Sequence, residues 1–250
     1  MQLRIFPKRI VDVLGPMASG ITAPRWIRAD DGLSYVVKDE ALGVASVRAS
    51  EYLWLSVARA VGLPAPVPEI VLDGHDRELF ATRREQSAVD TNVGIVALLG
   101  GRVARGGMHL SRIYAFDLFA ANWDRHPGNY LVLDDGGGSL AVFAIDFSHV
   151  AVHPGLVGLQ SDPMASVANA TRVQFPHISQ PYGADPAAAV EIANRLAVLP
   201  IKAINAILTE IPDEWLKQTE KAAVAAWWGG QGRTDRASAL QQGLQNGTLI

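Results

Sequence analysis

The stretch NWDRHPGNY, residues 122–130, concentrates polar chemistry in a chain that is 49% hydrophobic. Within eight positions it holds two amides, a carboxylate, a guanidinium and an imidazole. Pro127 and Gly128 interrupt regular structure, so the stretch is predicted to be a loop between a helix at 109–123 and a strand at 130–134. Packing does not require this mixture, so we interpret the stretch as a candidate catalytic loop.

A further carboxylate is predicted to lie beside this loop. The segment AIDFSHV carries Asp146, downstream of Asp124 in the loop. Two apolar runs, 130–134 and 140–146, flank the turn sequence DGGGS and are predicted to form a hairpin. Because a hairpin reverses the chain, we expect Asp146 to return to the loop that holds Asp124 and Asn129.

Two carboxylates and an amide oxygen at one place suit a particular chemistry. Mg²⁺ prefers hard oxygen ligands and keeps waters or phosphates in its other positions. One carboxylate then remains to accept a proton from a hydroxyl nucleophile. This arrangement favours phosphoryl transfer, in which positioning and charge neutralisation supply most of the catalysis. The plainer interpretation is a polar loop whose Asp124 and Asn129 only cap turns.

Phosphoryl transfer of this kind also uses a lysine on a strand and a helical glutamate that orients it. The predicted strand LSYVVK ends at Lys38. On the predicted helix 46–61, Glu51 shares a face with the apolar residues Trp54 and Leu55, so its carboxylate is expected to point inward and need a partner. We therefore predict a Lys38–Glu51 ion pair. The alternative is that Lys38 is a solvated surface charge and that Glu51 reaches water.

The order D-R-H-x-x-N followed by I-D-F resembles the HipA-like kinases and, within the loop, the phosphoinositide kinases of the protein-kinase-like superfamily. This resemblance implies that Asp124 is the catalytic aspartate, that Asn129 is a Mg²⁺ ligand and that Asp146 is the main Mg²⁺ ligand. It also implies ATP as the phosphate donor. Ordinary protein kinases write the loop as H-R-D, whereas here the order is reversed. His126 would either assist proton transfer or hydrogen-bond the loop, and the role of Arg125 is left open.

The stretch PMASGITAPRWI, residues 16–27, precedes the strand that ends at Lys38. Its small residues, Ser19 and Gly20, would let backbone N–H groups approach phosphate oxygens, although the pattern is not a P-loop. The resemblance places this segment where a kinase covers the phosphates. It also makes Ser19 and Thr22 candidates for a regulatory phosphorylation.

Two further runs in the N-terminal half, at 68–74 and 77–83, read as strands joined by a turn. By its order in the chain, the second run should carry the hinge of a kinase. Backbone groups of Phe80, Ala81 and Thr82 would then hydrogen-bond adenine. Beyond residue 160 the sequence predicts mainly helices: one capped by Asp185, one running from Pro212 to Gly229 and one capped by Thr234.

The composition excludes several classes of function. The chain of 250 residues has no cysteine, which excludes disulfides, a thiol nucleophile and cysteine-based metal sites. The net charge of −3 gives no basis for a nucleic-acid partner. The N-terminus does not read as a signal peptide, and no run is long and apolar enough for a membrane helix. The expectation is a soluble, cytoplasmic protein that does not insert into membranes.

We therefore predict an α+β, two-lobed protein-kinase-like fold. Residues 1–85 would form a small strand-rich lobe that binds the nucleotide, and residues 86–250 a mainly helical lobe with the catalytic loop and the metal-binding hairpin. The expected function is ATP- and Mg²⁺-dependent phosphate transfer to a hydroxyl of a protein or small molecule, most simply a serine or threonine on another protein or on the chain itself. A lipid or small-molecule kinase and an inactive pseudokinase are the alternatives. The oligomeric state is open.

Overall fold

The computed structural model describes residues 7–16, 24–38, 46–148, 150 and 169–250. Strands dominate up to residue 83, and helices dominate after residue 90. One short hairpin is embedded in the helical part. This mixed α+β arrangement confirms the predicted fold class. Within these ranges, no helix combines the length and the apolar character needed to cross a membrane.

The N-terminal part is a closed five-stranded barrel with one helix beside it. Its strands run in the order β1-β2-β3-β5-β4, and a parallel pairing of β1 with β4 closes the barrel. The other pairings are antiparallel. The helix α1 connects β3 to β4. The bounds are β1 Lys8–Pro16, β2 Arg25–Ala29, β3 Ser34–Lys38, α1 Ser46–Ala60, β4 Pro68–Leu72 and β5 Glu78–Arg83.

Alternation along the strands decides what faces the barrel interior. Side chains on successive strand residues point to opposite faces. Tyr35, Val37 and Ala81 belong to a small cluster of fully buried side chains that fills the barrel. On the opposite face, Phe80 joins the main core together with α1. Lys38 follows Val37 and therefore lies on this second face, which is the face that α1 covers.

The rest of the chain is a helical assembly with one hairpin. The long helix α3 is its centre, because most of its residues are buried and it packs against several other helices. The bounds are α2 Thr91–Leu99, α3 Gly106–Ala120, β6 Tyr130–Asp134, β7 Leu140–Ala144, α4 Asn169–Ser179, α5 Pro186–Val198, α6 Ile201–Glu210, α7 Gln218–Gly229 and α8 Gln231–Gln245. A single 3₁₀ turn, Pro127–Asn129, precedes β6.

An aromatic cluster fixes α1 against the helical part. The ring of Trp54 on α1 meets Phe116 of α3 edge to face at 5.9 Å and lies 6.2 Å from Trp228 of α7. All three side chains are almost fully buried. Buried aromatic rings contribute large apolar areas, so this contact is a strong link between the helix of the N-terminal part and the helical part. The position of α1 matters below because it carries Glu51.

Several element boundaries differ from the sequence prediction. The helix predicted at 109–123 ends at Ala120, since Ala121 adopts a left-handed conformation (φ 58°) and forms a Schellman-type end with Asn122. Trp123 therefore lies in the loop, 44% exposed, and not in the helix. The helix predicted from Pro212 begins only at Gln218.

Two predicted caps have different outcomes. Asp185 caps α5 as predicted, with its carboxylate accepting a hydrogen bond from Ala188 N. Thr234 lies inside α8 and caps nothing, because that helix already begins at Gln231. The predicted lobe boundary at residue 85 falls in the linker between β5 and α2, and it stays a prediction.

Candidate active site

A buried charge cluster joins β3, α1 and the segment after β7. Lys38 forms an ion pair with Glu51 and also lies 3.2 Å from Asp146, measured from Nζ to Oδ1. The side chain of Glu51 is 1% exposed, whereas that of Asp146 is 32% exposed. The predicted Lys38–Glu51 pair is therefore present. One lysine is therefore shared by two carboxylates, and the cluster has an excess of one negative charge when both carboxylates are ionised.

The pKa values in this cluster follow from how the single cation is shared. Burial alone would lower the pKa of Lys38, but the carboxylates of Glu51 and Asp146 outweigh burial and raise it. Burial raises the pKa of Glu51 to about 7, because Lys38 offsets the loss of water only in part. Partial burial would also raise the pKa of Asp146, but Lys38 and hydrogen bonds from Ser148 hold it well below its usual range. Asp146 is thus ionised and accessible.

Asp146 also has an unusual backbone. Its φ is 60°, in the left-handed region that non-glycine residues seldom adopt. Both the N–H and the hydroxyl of Ser148 donate to its Oδ1, at 3.3 and 2.5 Å. A conformation of this kind persists only when its surroundings hold it in place, and such residues concentrate at functional sites.

The loop of residues 122–129, called the polar loop below, lies against the segment that carries Asp146. Asn129 is 5% exposed, and its amide nitrogen donates to the carbonyl oxygen of Asp124 at 2.7 Å. The backbone N–H of Ile145 donates to the carbonyl of Asn129 at 3.2 Å. These contacts bring Asp124, Asn129 and Asp146 together at one end of the β6–β7 hairpin. Since the Asn129 amide nitrogen is used in the loop, its oxygen is the atom suited to a metal.

The side chain of Arg125 points from the polar loop into the interior of the protein and is buried there. It is 2% exposed, and the guanidinium binds both carboxylate oxygens of Asp117 on α3, at 2.7 and 2.9 Å. The remaining nitrogen, Nη1, donates to the carbonyls of Asn129 and Ile145. One guanidinium thus links α3, the polar loop and the segment leading to Asp146. The role of Arg125, which the sequence left open, is therefore a structural one.

Asp117 was missed by the sequence reasoning. The signal was present, since Asp117 is a single charged residue within the apolar run YAFDLFAA of α3. Carboxylates are seldom fully buried without a partner. Asp117 is 0% exposed, and it accepts a hydrogen bond from Asn122 at 2.8 Å in addition to those from Arg125.

His126 is exposed and stabilises the turn that follows it. Its Nδ1 accepts a hydrogen bond from the backbone N–H of Gly128 at 3.1 Å, which caps the 3₁₀ turn Pro127–Asn129. Of the two roles considered from the sequence, this contact supports hydrogen bonding within the loop. A role in proton transfer stays a prediction.

The predicted adenine-binding residues require a correction. Phe80, Ala81 and Thr82 lie inside β5, and each is paired with both β3 and β4. Their backbone groups are therefore engaged in the barrel and are not those of a hinge. Ala81 faces the barrel interior, and Phe80 is buried in the main core. The sequence order identified the correct strand but could not show that it is central.

Thr82 still lies on the face that carries Lys38. It pairs with Val36 on β3, and Val36 pairs with Trp26 on β2. Directly paired residues share one face of a sheet, and Val36 is two positions from Lys38, so all four side chains lie on that face. The guanidinium of Arg84, just after β5, stacks over the Trp26 ring at 4.3 Å from its centroid.

The predicted phosphate-covering residues Ser19 and Gly20, and also Thr22, lie outside the described residues. Among the residues that are described, no group of three or more His, Asp or Glu side chains could hold a metal ion. The candidate ligands Asp146 and Asn129 offer two oxygens. This suits Mg²⁺, which commonly takes one or two protein oxygens and fills its other positions with phosphates and water.

No protein-family model matches the sequence, and no curated protein matches it significantly. Solved structures do resemble it. The proinflammatory kinase CtkA of Helicobacter pylori matches with a TM-score of 0.62 at 10% identity, over 94% of this chain and 96% of that chain. HipA of Shewanella oneidensis MR-1, from a complex of HipA, HipB and their operator DNA, matches with a TM-score of 0.52 at 12% identity, over 98% of this chain and 69% of that chain.

Similarity at this identity concerns the fold. The operator DNA belongs to the HipA complex, and the expectation that this chain has no nucleic-acid partner still rests on its net charge alone. The two solved structures align with 94% and 98% of this chain, so the similarity extends over nearly its whole length. The chain therefore shares the fold of these two solved structures, which confirms the predicted protein-kinase-like fold class.

Proposed function

We propose that the chain is an ATP- and Mg²⁺-dependent phosphotransferase whose acceptor is a hydroxyl group. The observation that carries this proposal is the convergence of Lys38, Glu51 and Asp146 in one charge cluster beside the polar loop. These residues come from three distant parts of the chain. A structural ion pair would need only one carboxylate for the lysine, whereas phosphate binding needs an oriented lysine and a carboxylate that stays ionised.

Lys38 would bind the phosphates of the nucleotide, and Glu51 would orient it. Glu51 is held in place because its second carboxylate oxygen accepts a hydrogen bond from the backbone N–H of Phe147 at 3.0 Å. A lysine whose pKa is raised carries its charge at every physiological pH. It can therefore attract phosphate oxygens as a fixed positive group.

Asp146 and Asn129 would hold the magnesium ion, which would neutralise phosphate charge when bound. The chain's own contribution is an ionised, accessible carboxylate and an amide whose nitrogen is already used. When Glu51 and Asp146 are both ionised, the cluster has one negative charge in excess, and a divalent cation would offset it.

Asp124 would orient the acceptor hydroxyl and accept its proton. The polar loop holds it between Asn122, whose Oδ1 accepts from Asp124 N at 3.2 Å, and Asn129. The acceptor would be a serine or threonine on another protein or on the chain itself. Residues 149–162 contain no lysine or arginine, which disfavours an anionic lipid headgroup as the acceptor.

Adenine would lie under the face of the barrel formed by Trp26, Val36 and Thr82. The backbone contacts would come from residues 85–87 of the linker that follows β5, since the N–H groups of Arg84 and Ala88 already donate to the carbonyls of Ser34 and Glu85. In this linker, the backbone carbonyl of Ser87 accepts a hydrogen bond from the N–H of Asp134 on β6 at 2.9 Å. This linker therefore runs beside the hairpin that leads to Asp146.

The experiment is a transfer assay with ATP labelled on the γ-phosphate and Mg²⁺. The wild-type chain is incubated alone and with cell extract, beside Asp146→Ala. A matched control is Asp235→Ala, which removes an exposed carboxylate on α8. We expect label on protein with the wild type and the control, and a loss of at least a hundredfold with Asp146→Ala. Label that does not depend on Asp146, or no label and no bound nucleotide, would refute the proposal.

A further inference from the structure

Two consecutive side chains of α1 bind both backbone polar groups of Phe147. The Ser50 hydroxyl donates to the Phe147 carbonyl at 2.6 Å, and the Glu51 carboxylate accepts from the Phe147 N–H at 3.0 Å. Ser50 is 1% exposed. Its hydroxyl also lies 3.3 Å from the carbonyl of Val150, so its single proton is directed mainly at Phe147.

Phe147 is fixed on its other side by packing. Its ring is fully buried, meets Phe116 of α3 edge to face at 5.5 Å and lies 4.9 Å from the guanidinium of Arg125. The residue next to Asp146 is thus held by α1 through its backbone and by α3 and the polar loop through its ring. These contacts with α1, α3 and the polar loop therefore determine the position of Phe147.

This matters because Asp146 has the strained backbone. A left-handed aspartate relaxes unless neighbouring contacts prevent it. The peptide groups on either side of Phe147 are the ones that would rotate. Glu51 binds the N–H of the peptide group before Phe147, and Ser50 binds the carbonyl of the peptide group after it. Glu51 has a second task, the orientation of Lys38, whereas Ser50 contacts only this segment among the described contacts.

We propose that Ser50 is a positioning residue that holds Asp146 in its metal-binding conformation through the Phe147 carbonyl. The inference rests on the proposed function, in which Asp146 is a magnesium ligand. It goes beyond that function because it makes α1 a support of the metal site as well as of the lysine. A displacement of α1 would then disturb both at once.

The alternative is that the hydrogen bond of Ser50, like that of many buried serines, only stabilises the fold. The two interpretations differ in what Ser50→Ala changes. A structural serine lowers the melting temperature but leaves metal affinity unaltered. A positioning serine weakens metal binding in protein that is still folded, and a variant that keeps the hydroxyl restores it.

The experiment measures Mn²⁺ binding by electron paramagnetic resonance in the full chain with a non-hydrolysable ATP analogue. The variants are Ser50→Ala, Ser50→Thr and the control Ser179→Ala. Ser179 is also buried and donates to a backbone carbonyl, Phe175 O at 2.8 Å, but within its own helix. Losing one hydrogen bond should raise the Mn²⁺ dissociation constant of Ser50→Ala about fivefold to tenfold. Ser50→Thr and Ser179→Ala should stay within about twofold of the wild type.

Hydrogen exchange supplies a second measurement that does not depend on metal. The amide of Phe147 should exchange faster in Ser50→Ala than in the wild type, and at the wild-type rate in Ser179→Ala. If Ser50→Ala does not fold, Ser50→Cys takes its place, because the thiol is a weak donor of similar size. The same loss of Mn²⁺ affinity is then expected.

The outcomes separate the inference from the proposed function. Wild-type binding of Mn²⁺ with unchanged affinity in Ser50→Ala would overturn the inference alone. Failure of Ser50→Thr to recover affinity, with a normal melting temperature, would also overturn it. No Mn²⁺ binding by the wild-type chain with the nucleotide analogue would overturn the proposed function and this inference together.

Discussion

Arg125 and Asp117 form a bidentate ion pair that is almost completely shielded from water beneath the polar loop. The pair lies eight residues apart in sequence, and the early end of α3 turns the chain so that the two meet. Breaking a buried ion pair leaves one charge without compensation, which typically costs about 3–5 kcal/mol. Arg125→Met should therefore lower the free energy of unfolding by about 3 kcal/mol in urea denaturation.

A matched control for Arg125 is available on the surface. Arg9 and Asp76 also form an ion pair, but their side chains are 54% and 71% exposed. Arg9→Met should cost less than about 1 kcal/mol, because solvent screens exposed pairs. Equal losses for Arg9→Met and Arg125→Met would show that the buried pair does not anchor the loop as described.

Replacing Lys38 should weaken nucleotide binding in protein that still folds. Lys38→Met removes the cation shared by Glu51 and Asp146, so we expect the dissociation constant for Mg²⁺-ATP to rise at least tenfold. Titration calorimetry measures it, with the exposed Lys202→Met as control. Unchanged ATP affinity in Lys38→Met would remove the lysine from the phosphate site, and global unfolding would make it a structural residue.

Glu51 predicts a specific dependence of stability on pH. Its pKa of about 7 in the folded protein is above its ordinary value of 4.5, so folding takes up a proton between these two values. The contribution of Glu51 to stability is therefore full below pH 4.5 and is lost as the pH rises through 7. Glu51→Gln does not titrate, so it should gain about 2 kcal/mol relative to the wild type between pH 5 and pH 8.

Phosphate transfer by Glu51→Gln should nevertheless fall, because a neutral amide orients Lys38 less firmly. Thermal unfolding at the two pH values and the labelled transfer assay test the two halves of this prediction. A stability difference that is flat with pH, or that grows in favour of the wild type toward pH 8, would show that Glu51 is already ionised at pH 5.

His126 offers a test between capping and catalysis. His126→Asn keeps a side chain that caps helical turns but removes the titrating imidazole. If His126 only accepts the hydrogen bond from Gly128, the variant should transfer phosphate within about threefold of the wild type and with the same profile from pH 6 to 8. Loss of a proton-transfer group would instead cost about 10²–10⁴ in rate. A loss of that size would restore His126 as a catalytic residue.

The sequence predicted the parts of the fold whose local patterns are complete. Strand β3, helix α1 and the β6–β7 hairpin have clear periodicity or turn residues, and all were found. The Lys38–Glu51 contact was predicted because Glu51 shares one face of α1 with apolar residues. Strand β1 was missed because its register shifts between Ile10 and Asp12 and between Val13 and Gly15, which interrupts the alternation that marks a strand. Helix α2 was also missed, because it has no charged residues and its sequence shows no polar face.

The parts of the site that were missed depend on packing between distant segments. Nothing local to Ser50 or Asp117 indicates which backbone or guanidinium each will meet. The backbone groups of residues 80–82 were expected to be available for adenine for a related reason: β5 was recognised as a strand, but its pairing on both sides could not be predicted from residues 77–83. The local sequence predicts that a strand or helix forms, whereas its pairing with distant strands decides which of its backbone atoms remain available for a ligand.

The most direct test of the account compares the wild type with Asp124→Asn in transfer of the γ-phosphate of ATP at saturating Mg²⁺. Asparagine keeps the size of the side chain but cannot accept the hydroxyl proton. We expect Asp124→Asn to bind Mg²⁺-ATP as the wild type does and to transfer phosphate at least about a hundredfold more slowly. Equal transfer rates in the two proteins, or no transfer by the wild type to any protein in an extract or to itself, would contradict the account.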